Sequence, residues 1–233
     1  MQVELIDKMG SDLTVVNAAR VSFANKHKEF DKQKDERLIK YLAKHNHWSP
    51  FAHCSLQYHI RAPVFVARQL VKHQVGLSWN EVSRRYVDIE PEFYTVKEWR
   101  KKADDKKQGS SDEIVERLDD GMYGEKPHDY GEKPHDLQRQ VEHHALYNYN
   151  KLLKNGVAPE QARIVLPQSM MTEWYWSGTL YAFARVCNLR LDETAQKETQ
   201  EVAKQISAHA QKQFPTSWKY LTEETNGSTG DNN

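Results

Sequence analysis

Cysteine is nearly absent from this sequence: there are two, Cys54 and Cys187, in 233 residues. They stand far apart, so they offer no disulfide framework. An excess of charge of either sign is also missing, since 33 basic side chains balance 33 acidic ones. That balance argues against broad attraction to nucleic acid or to an anionic membrane and leaves room only for a local basic pocket. No apolar run is long enough to cross a bilayer, and the opening residues do not read as a secretory signal. A cytoplasmic protein that binds neither membrane nor nucleic acid is expected. No G-x-G-x-x-G occurs, so a Rossmann dinucleotide site is unsupported. His45, His47 and His53 lie close in sequence but lack paired cysteines or H-E-x-x-H spacing, so no metal is expected.

What is present is polar. The hydrophobic fraction is 38% and the mean hydropathy is -0.86. Large solvated segments, or polar groups buried in sites and interfaces, must account for this. The length suits one domain, or at most two small ones. VELI near the start is a strand candidate, and Asp12 is placed to cap a helix through TVVNAARVSF. A second helix is expected over about 33–45, from the spacing of Leu38, Ile39, Leu42 and Ala43. HWSPFAH reads as a loop and Cys54 to Ile60 as a strand. A helix is expected from Pro63 to about His73, because proline at a first helical position loses no bond. Further helices are expected at 137–154, in PEQARIVL and in GTLYAFARVCN, with MMTEWYW as a strand. Asp192 reads as the cap of a long final helix with Ala195, Val202, Ile206 and Phe214 on its apolar stripe. The expected fold is a mixed α/β (α+β) single domain over 1–222, with a central sheet flanked by helices. A polar inserted loop covers about 104–136 and a disordered tail 223–233. The insert holds a tandem copy, YGEKPHD at 123–129 and again at 130–136, which reads as a duplicated surface loop.

Three places carry chemistry. In the helix over 63–73, Gln69, Lys72 and His73 stand at i, i+3 and i+4 and so share a face. Polar groups on a buried stripe need partners, at about 1–3 kcal/mol for each left unpaired. Next, Asn80, Glu81, Ser83, Arg84 and Arg85 crowd into VGLSWNEVSRRY after Gly76. A hydroxyl and two guanidinium forks suit phosphate oxygens. Finally, Arg163 in ARIVLP and Arg190 in CNLRLD sit among apolar neighbours, where an arginine calls for an acid or a ligand oxyanion. Ion pairs with Glu160 and Asp192 are the plain structural alternative.

The order HWSPFAH, APVFVARQLVKHQ, NEVSRRYV, ARIVLP, TEWYWSG, NLRLD resembles the block order of the flavin-dependent thymidylate synthases, from about residue 15 to 206. The 27-residue separation of Arg163 from Arg190 agrees with that family. The family motif is Arg-His-Arg, seven residues, then Ser. Here Lys72-His73-Gln74 holds the triplet, and eight residues separate Gln74 from Ser83.

The resemblance implies a homotetramer with FAD held between subunits, methylenetetrahydrofolate as carbon donor and NADPH as reductant. It implies that Gln69, Lys72, Ser83, Arg84, Arg85 and Arg163 contact dUMP, and that Arg190 meets the pyrimidine edge as the catalytic group. Lys72, His73, Gln74 and Glu81 would lie along the flavin with Ser49 nearby. Thr179, Tyr181 and Arg185 fall where the family contacts FAD but are not its usual residues there.

Methylating C5 of uracil needs electron density at C5, supplied by a thiolate at C6 or by polarising the ring while a flavin delivers hydride. Neither cysteine has the setting of an activated thiolate. Arg190 can stabilise negative charge on a ring oxygen instead. Two other readings stand beside this one. The altered triplet allows a non-catalytic nucleotide- or flavin-binding protein. Arginines and aromatics allow a single-stranded nucleic-acid binder, against which the zero net charge counts.

Overall fold

The computed structural model describes residues 1–86, 89–104, 109–118 and 132–223. In chain order the elements are β1 (Gln2–Met9), α1 (Asp12–Arg20), α2 (Lys32–Lys44), α3 (Ser49–Ala52), β2 (Ser55–Pro63), α4 (Val64–Leu70), β3 (Leu77–Glu81), β4 (Arg100–Lys102) and β5 (Ser110–Ile114). They continue as α5 (Pro134–Lys154), α6 (Pro159–Ala162), β6 (Met171–Thr179), α7 (Leu180–Arg190), α8 (Lys197–Gln213) and α9 (Pro215–Glu223). The mixed α and β content and the helix-flanked sheet are as expected from the sequence. The contacts divide into two compact units, neither continuous in sequence.

The first unit takes Met1–Arg61, Arg68–Glu81 and the chain from Glu173 onward. Its sheet has the order β1-β2-β6-β3, with β1 antiparallel to β2 and β3 antiparallel to β6. Strand alternation separates the faces. Leu56, Tyr58 and Ile60 of β2 are buried, as are Trp174 and Trp176 of β6. Phe183 of α7 and Ile206 of α8 meet them, and Val202, Phe214 and Trp218 are buried as well. Tyr58 meets the Phe183 ring edge-on, with centroids 5.0 Å apart, and its hydroxyl donates to the Ile206 carbonyl at 3.3 Å. The opposite face is polar: Gln57 Nε2 donates to Ser177 Oγ at 2.9 Å, and His59 lies 3.5 Å from Glu173. Helices α1 and α2 add Val15, Val16 and Ile39 to the core.

The second unit takes Ala62–Ala67 and Val82–Thr172. Here β4 and β5 pair antiparallel, and α6 packs on α5. Val64 N donates to the Met170 carbonyl at 2.9 Å. Glu142 of α5 accepts from Gln138 Nε2 and from Ser169 Oγ, both at 2.7 Å. No helix among the described residues is long and apolar enough to cross a membrane.

Several sequence expectations need correction. Asp12 does not cap α1; Ser11 does, its N–H donating to Thr14 Oγ1 at 3.1 Å. Asp12 is instead taken up at the far end of the chain, where its carboxylate accepts the backbone N–H groups of Thr216 and Ser217, each at 2.9 Å. HWSPFAH holds the one-turn helix α3 rather than loop alone. Pro63 ends β2 instead of opening a helix, and α4 stops at Leu70, short of His73.

The long final helix is two helices, α8 and α9. Asp192 lies before them and accepts the Thr194 N–H at 2.8 Å, while Gln196 occupies the cap position of α8. Ala195 therefore falls outside the helical stripe that Val202 and Ile206 form. Strands β3, β4 and β5 were not expected, and β5 lies inside the supposed loop over 104–136. Most of the tandem YGEKPHD copy, up to residue 131, is outside the described residues, as is the tail from 224.

Candidate active site

The turn between α4 and β3 is built by close backbone approach to α7. Gly76 has φ +77, a conformation that disfavours side chains. Its carbonyl accepts the Thr179 N–H at 3.0 Å. Across the β3–β6 pair, Gly178 faces Leu77, and a Cβ there would come within 2.5 Å of the Gly76 carbonyl oxygen. Thr179 caps α7, its Oγ1 accepting from Ala182 N at 3.1 Å. These bonds lay Lys72, His73 and Gln74 along α7.

The result is a cleft of about 130 Å³ lined by Lys72, His73, Gln74, Val75, Leu77, Ala182, Arg185, Val186 and Leu189. At its edge Arg190 Nε donates to His73 Nε2 at 3.0 Å. Burial, followed by the Arg190 and Arg185 charges, holds the His73 imidazole below its ordinary pKa. Because α4 ends at Leu70, Gln69 does not share a helical face with Lys72 and His73, contrary to the sequence expectation. Gln69 turns to other partners: its Nε2 donates to Gln196 Oε1, and its Oε1 accepts from Thr199 Oγ1 at 3.2 Å. Thr199 is buried completely. Sequence reasoning missed both partners. The only available signal was a polar pair just before and within the first turn of α8, and Asp192 had been given the capping role.

The remaining predicted residues of this unit are spread around α3, β3 and α7. Glu81 ends β3 opposite Trp174, and its Oε2 accepts from Trp79 Nε1 at 3.2 Å. The Trp79 and Trp174 rings stack with centroids 4.4 Å apart. Ser49 opens α3 and is exposed. Tyr181 of α7 lies near Trp48, with centroids 6.4 Å apart. Trp174 and Trp176 are buried while Tyr175 between them is exposed, as strand alternation requires.

In the second unit, Ser83, Arg84 and Arg85 form a tight turn. Arg85 donates from both N and Nε to Ser83 Oγ, each at 3.3 Å. The Arg85 guanidinium sits over the Tyr86 ring at 5.0 Å. Arg84 Nη1 donates to the Ile89 carbonyl. Arg163 follows α6 and donates Nε to the Glu160 carbonyl at 3.3 Å, a backbone partner rather than the carboxylate envisaged. Its neighbour Ile164 is 77% exposed, so the apolar residues beside Arg163 do not bury it within this chain.

Both cysteines are free and buried. Burial is the chief reason the Cys54 thiol is pushed up to about 11, and Cys187 is pushed up further by burial alone. Neither supplies a thiolate near neutral pH. Among the described residues no three His, Cys, Asp or Glu side chains group as metal ligands.

Comparison with known proteins gives consistent findings. Residues 4–216 match the family Thy1, thymidylate synthase complementing protein. A flavin-dependent thymidylate synthase of Thermus thermophilus is 37% identical over 221 residues, covering 95% of this chain and 75% of its own. Another flavin-dependent thymidylate synthase, from Thermosipho africanus, is 38% identical over 205 residues, covering 88% and 83%. Among solved structures, the UMP/dUMP methylase PolB from Streptomyces cacaoi, bound with 5-Br dUMP, superposes with a TM-score of 0.75 at 30% identity. It covers 95% of this chain and 94% of that one.

Proposed function

Because the chain belongs to the flavin-dependent thymidylate synthase family, we propose that it methylates dUMP to dTMP, with FAD as cofactor, methylenetetrahydrofolate as carbon donor and NADPH as reductant. The observation that carries this reading is Arg190, fixed by His73 beside a cleft of cations and apolar side chains.

The residues present fit a flavin. Lys72, Gln74 and Arg185 are donors suited to a pyrophosphate and to ring carbonyls, while Val75, Leu77, Ala182, Val186 and Leu189 suit the flat ring. When bound, FAD supplies the hydride chemistry. Arg190 presents positive charge to a pyrimidine oxygen and stabilises the anion that ring activation requires. Gln69, anchored by Gln196 and Thr199, keeps one donor and one acceptor site for substrate. Ser83, Arg84, Arg85 and Arg163 are assigned to the nucleotide phosphate on the family resemblance, a hydroxyl and guanidinium forks being suited to it. Ser49, Glu81, Thr179 and Tyr181 are assigned to the cofactor on the family resemblance. With both thiols protonated, no cysteine takes part.

The cleft, about 130 Å³, is well below the roughly 300–1,000 Å³ of sites that enclose a ligand of moderate size. FAD is too large for it, which supports a homotetramer in which neighbouring copies complete the cofactor site. The exposure of Val75, Leu189 and Ile164, at 76%, 58% and 77%, supports the same assembly. A cytoplasmic setting goes with free thiols and nucleotide substrates.

The test is a visible absorbance spectrum of the purified protein, its bleaching by NADPH, and then dTMP formation, with UMP assayed beside dUMP. Flavin bands and dTMP are expected. A colourless protein that FAD cannot reconstitute would defeat the proposal. A yellow protein that binds dUMP without turnover would favour a non-catalytic role, to which the Lys72-His73-Gln74 triplet gives grounds.

A further inference from the structure

We propose that His73 is a positioning residue for Arg190, a neutral hydrogen-bond acceptor that fixes the arginine's guanidinium and lets go of it when protonated. An arginine has donors only, so the nitrogen that Arg190 Nε contacts at 3.0 Å must carry the lone pair. The ring proton of His73 therefore sits on Nδ1. Arg190 is the last residue of α7, and no further helical turn restrains its long side chain. Holding it at Nε fixes the guanidinium plane and leaves both terminal NH2 groups for a planar ligand.

Protonation reverses this. It places a second cation at hydrogen-bond distance from the first, with a donor facing a donor. The charged side chains lining the cleft around His73 are Lys72 on its own turn and Arg185 on α7, both cations like Arg190. None of these three can accept a proton from, or share one with, a charged imidazole. Burial and the two arginines hold the imidazole neutral down to below its ordinary titration range. His73 thus couples Arg190 to pH.

The consequence for turnover rests on the proposed dUMP reaction; the hydrogen bond does not. Protein labelled with ¹⁵N-histidine should show His73 as the Nδ1–H tautomer at neutral pH. The R190L variant should shift it to Nε2–H and raise its pKa. In the wild type, kcat/KM should fall about tenfold per pH unit below the His73 titration. H73L should lose at least tenfold at neutral pH. H73Q, whose amide oxygen stands close to the place of Nε2, should recover most of that loss and lack the acid limb. An Nε2–H tautomer in the wild type, or an unchanged acid limb in H73Q, would overturn the proposal. A wild type with the Nδ1–H tautomer coupled to Arg190 but no dUMP turnover would support the positioning role while sinking the dUMP reaction.

Discussion

Replacing Cys54 and Cys187 together by alanine removes every thiol from the protein. Turnover of dUMP should persist. Cys54 is fully buried, and desolvation, opposed by its contact with the Ser11 carbonyl and aided by the Asp12 charge, pushes its thiol up to about 11. At pH 8 that leaves about one thiolate in a thousand, against roughly a quarter for a free thiol of pKa about 8.5. Thiol–disulfide exchange of Cys54 in the native protein should therefore be slower than in the urea-unfolded chain by roughly 200-fold from ionisation alone. An aromatic disulfide reagent followed by absorbance measures both rates.

The sign of the pH effect on stability follows. The fold raises the thiol pKa, so its contribution is complete below the ordinary value of about 8.5 and is lost as pH rises toward 11. The wild type should lose stability relative to the C54A variant across that window. A folded double variant without turnover would refute the reasoning, as would stoichiometric labelling of the native protein within the dead time of unfolded-chain labelling.

Arg190→Ala should lower kcat by about 10²–10³ while the flavin spectrum stays intact; near-normal turnover would remove Arg190 from the chemistry. Arg84→Ala should weaken dUMP or FAD binding by about tenfold or more, matching about 1.5–3 kcal/mol for a charged hydrogen bond. Equal affinity for both ligands by titration would leave Arg84 with only its bond to the Ile89 carbonyl. Asp12→Ala strips two backbone N–H groups of their acceptor and should cost about 3–5 kcal/mol in urea unfolding; a loss under about 1 kcal/mol would mean that water replaces the carboxylate.

Elements with strong periodicity were legible in the sequence. The residue pattern marked Cys54 to Ile60 and MMTEWYW as strands, where β2 and β6 now stand, and helical spacing marked Val202 and Ile206. β3 was not legible because LSWNE is five residues long and runs into a charged turn. The end of α4 was not legible either. It is set by what the next residues bond to, and the Gly76 carbonyl finds its partner at Thr179, about a hundred positions on. The chemistry of the candidate site could be named residue by residue, but its pairings could not. For Arg190 the sequence offered a ligand oxyanion or an acid nearby in the chain, and gave no sign of the bond to His73, 117 positions away. Gln69 likewise depends on Gln196 and Thr199, which sequence patterns gave no reason to connect with it.

The bonds from Asp12 to Thr216 and Ser217 also bear on how the protein is made. They span 204 and 205 positions, and α9 packs on α1 and α2. During synthesis the first two helices emerge long before their partners exist. At about 5–20 residues per second, the intervening chain takes on the order of 10–40 s to translate. Over that interval Val15, Val16 and Ile39 have no completed core to enter. The nascent chain must stay partly open on the ribosome, where a chaperone that shields short apolar segments would raise the yield of folded protein, and where a stall before residue 215 would release a fragment prone to aggregate.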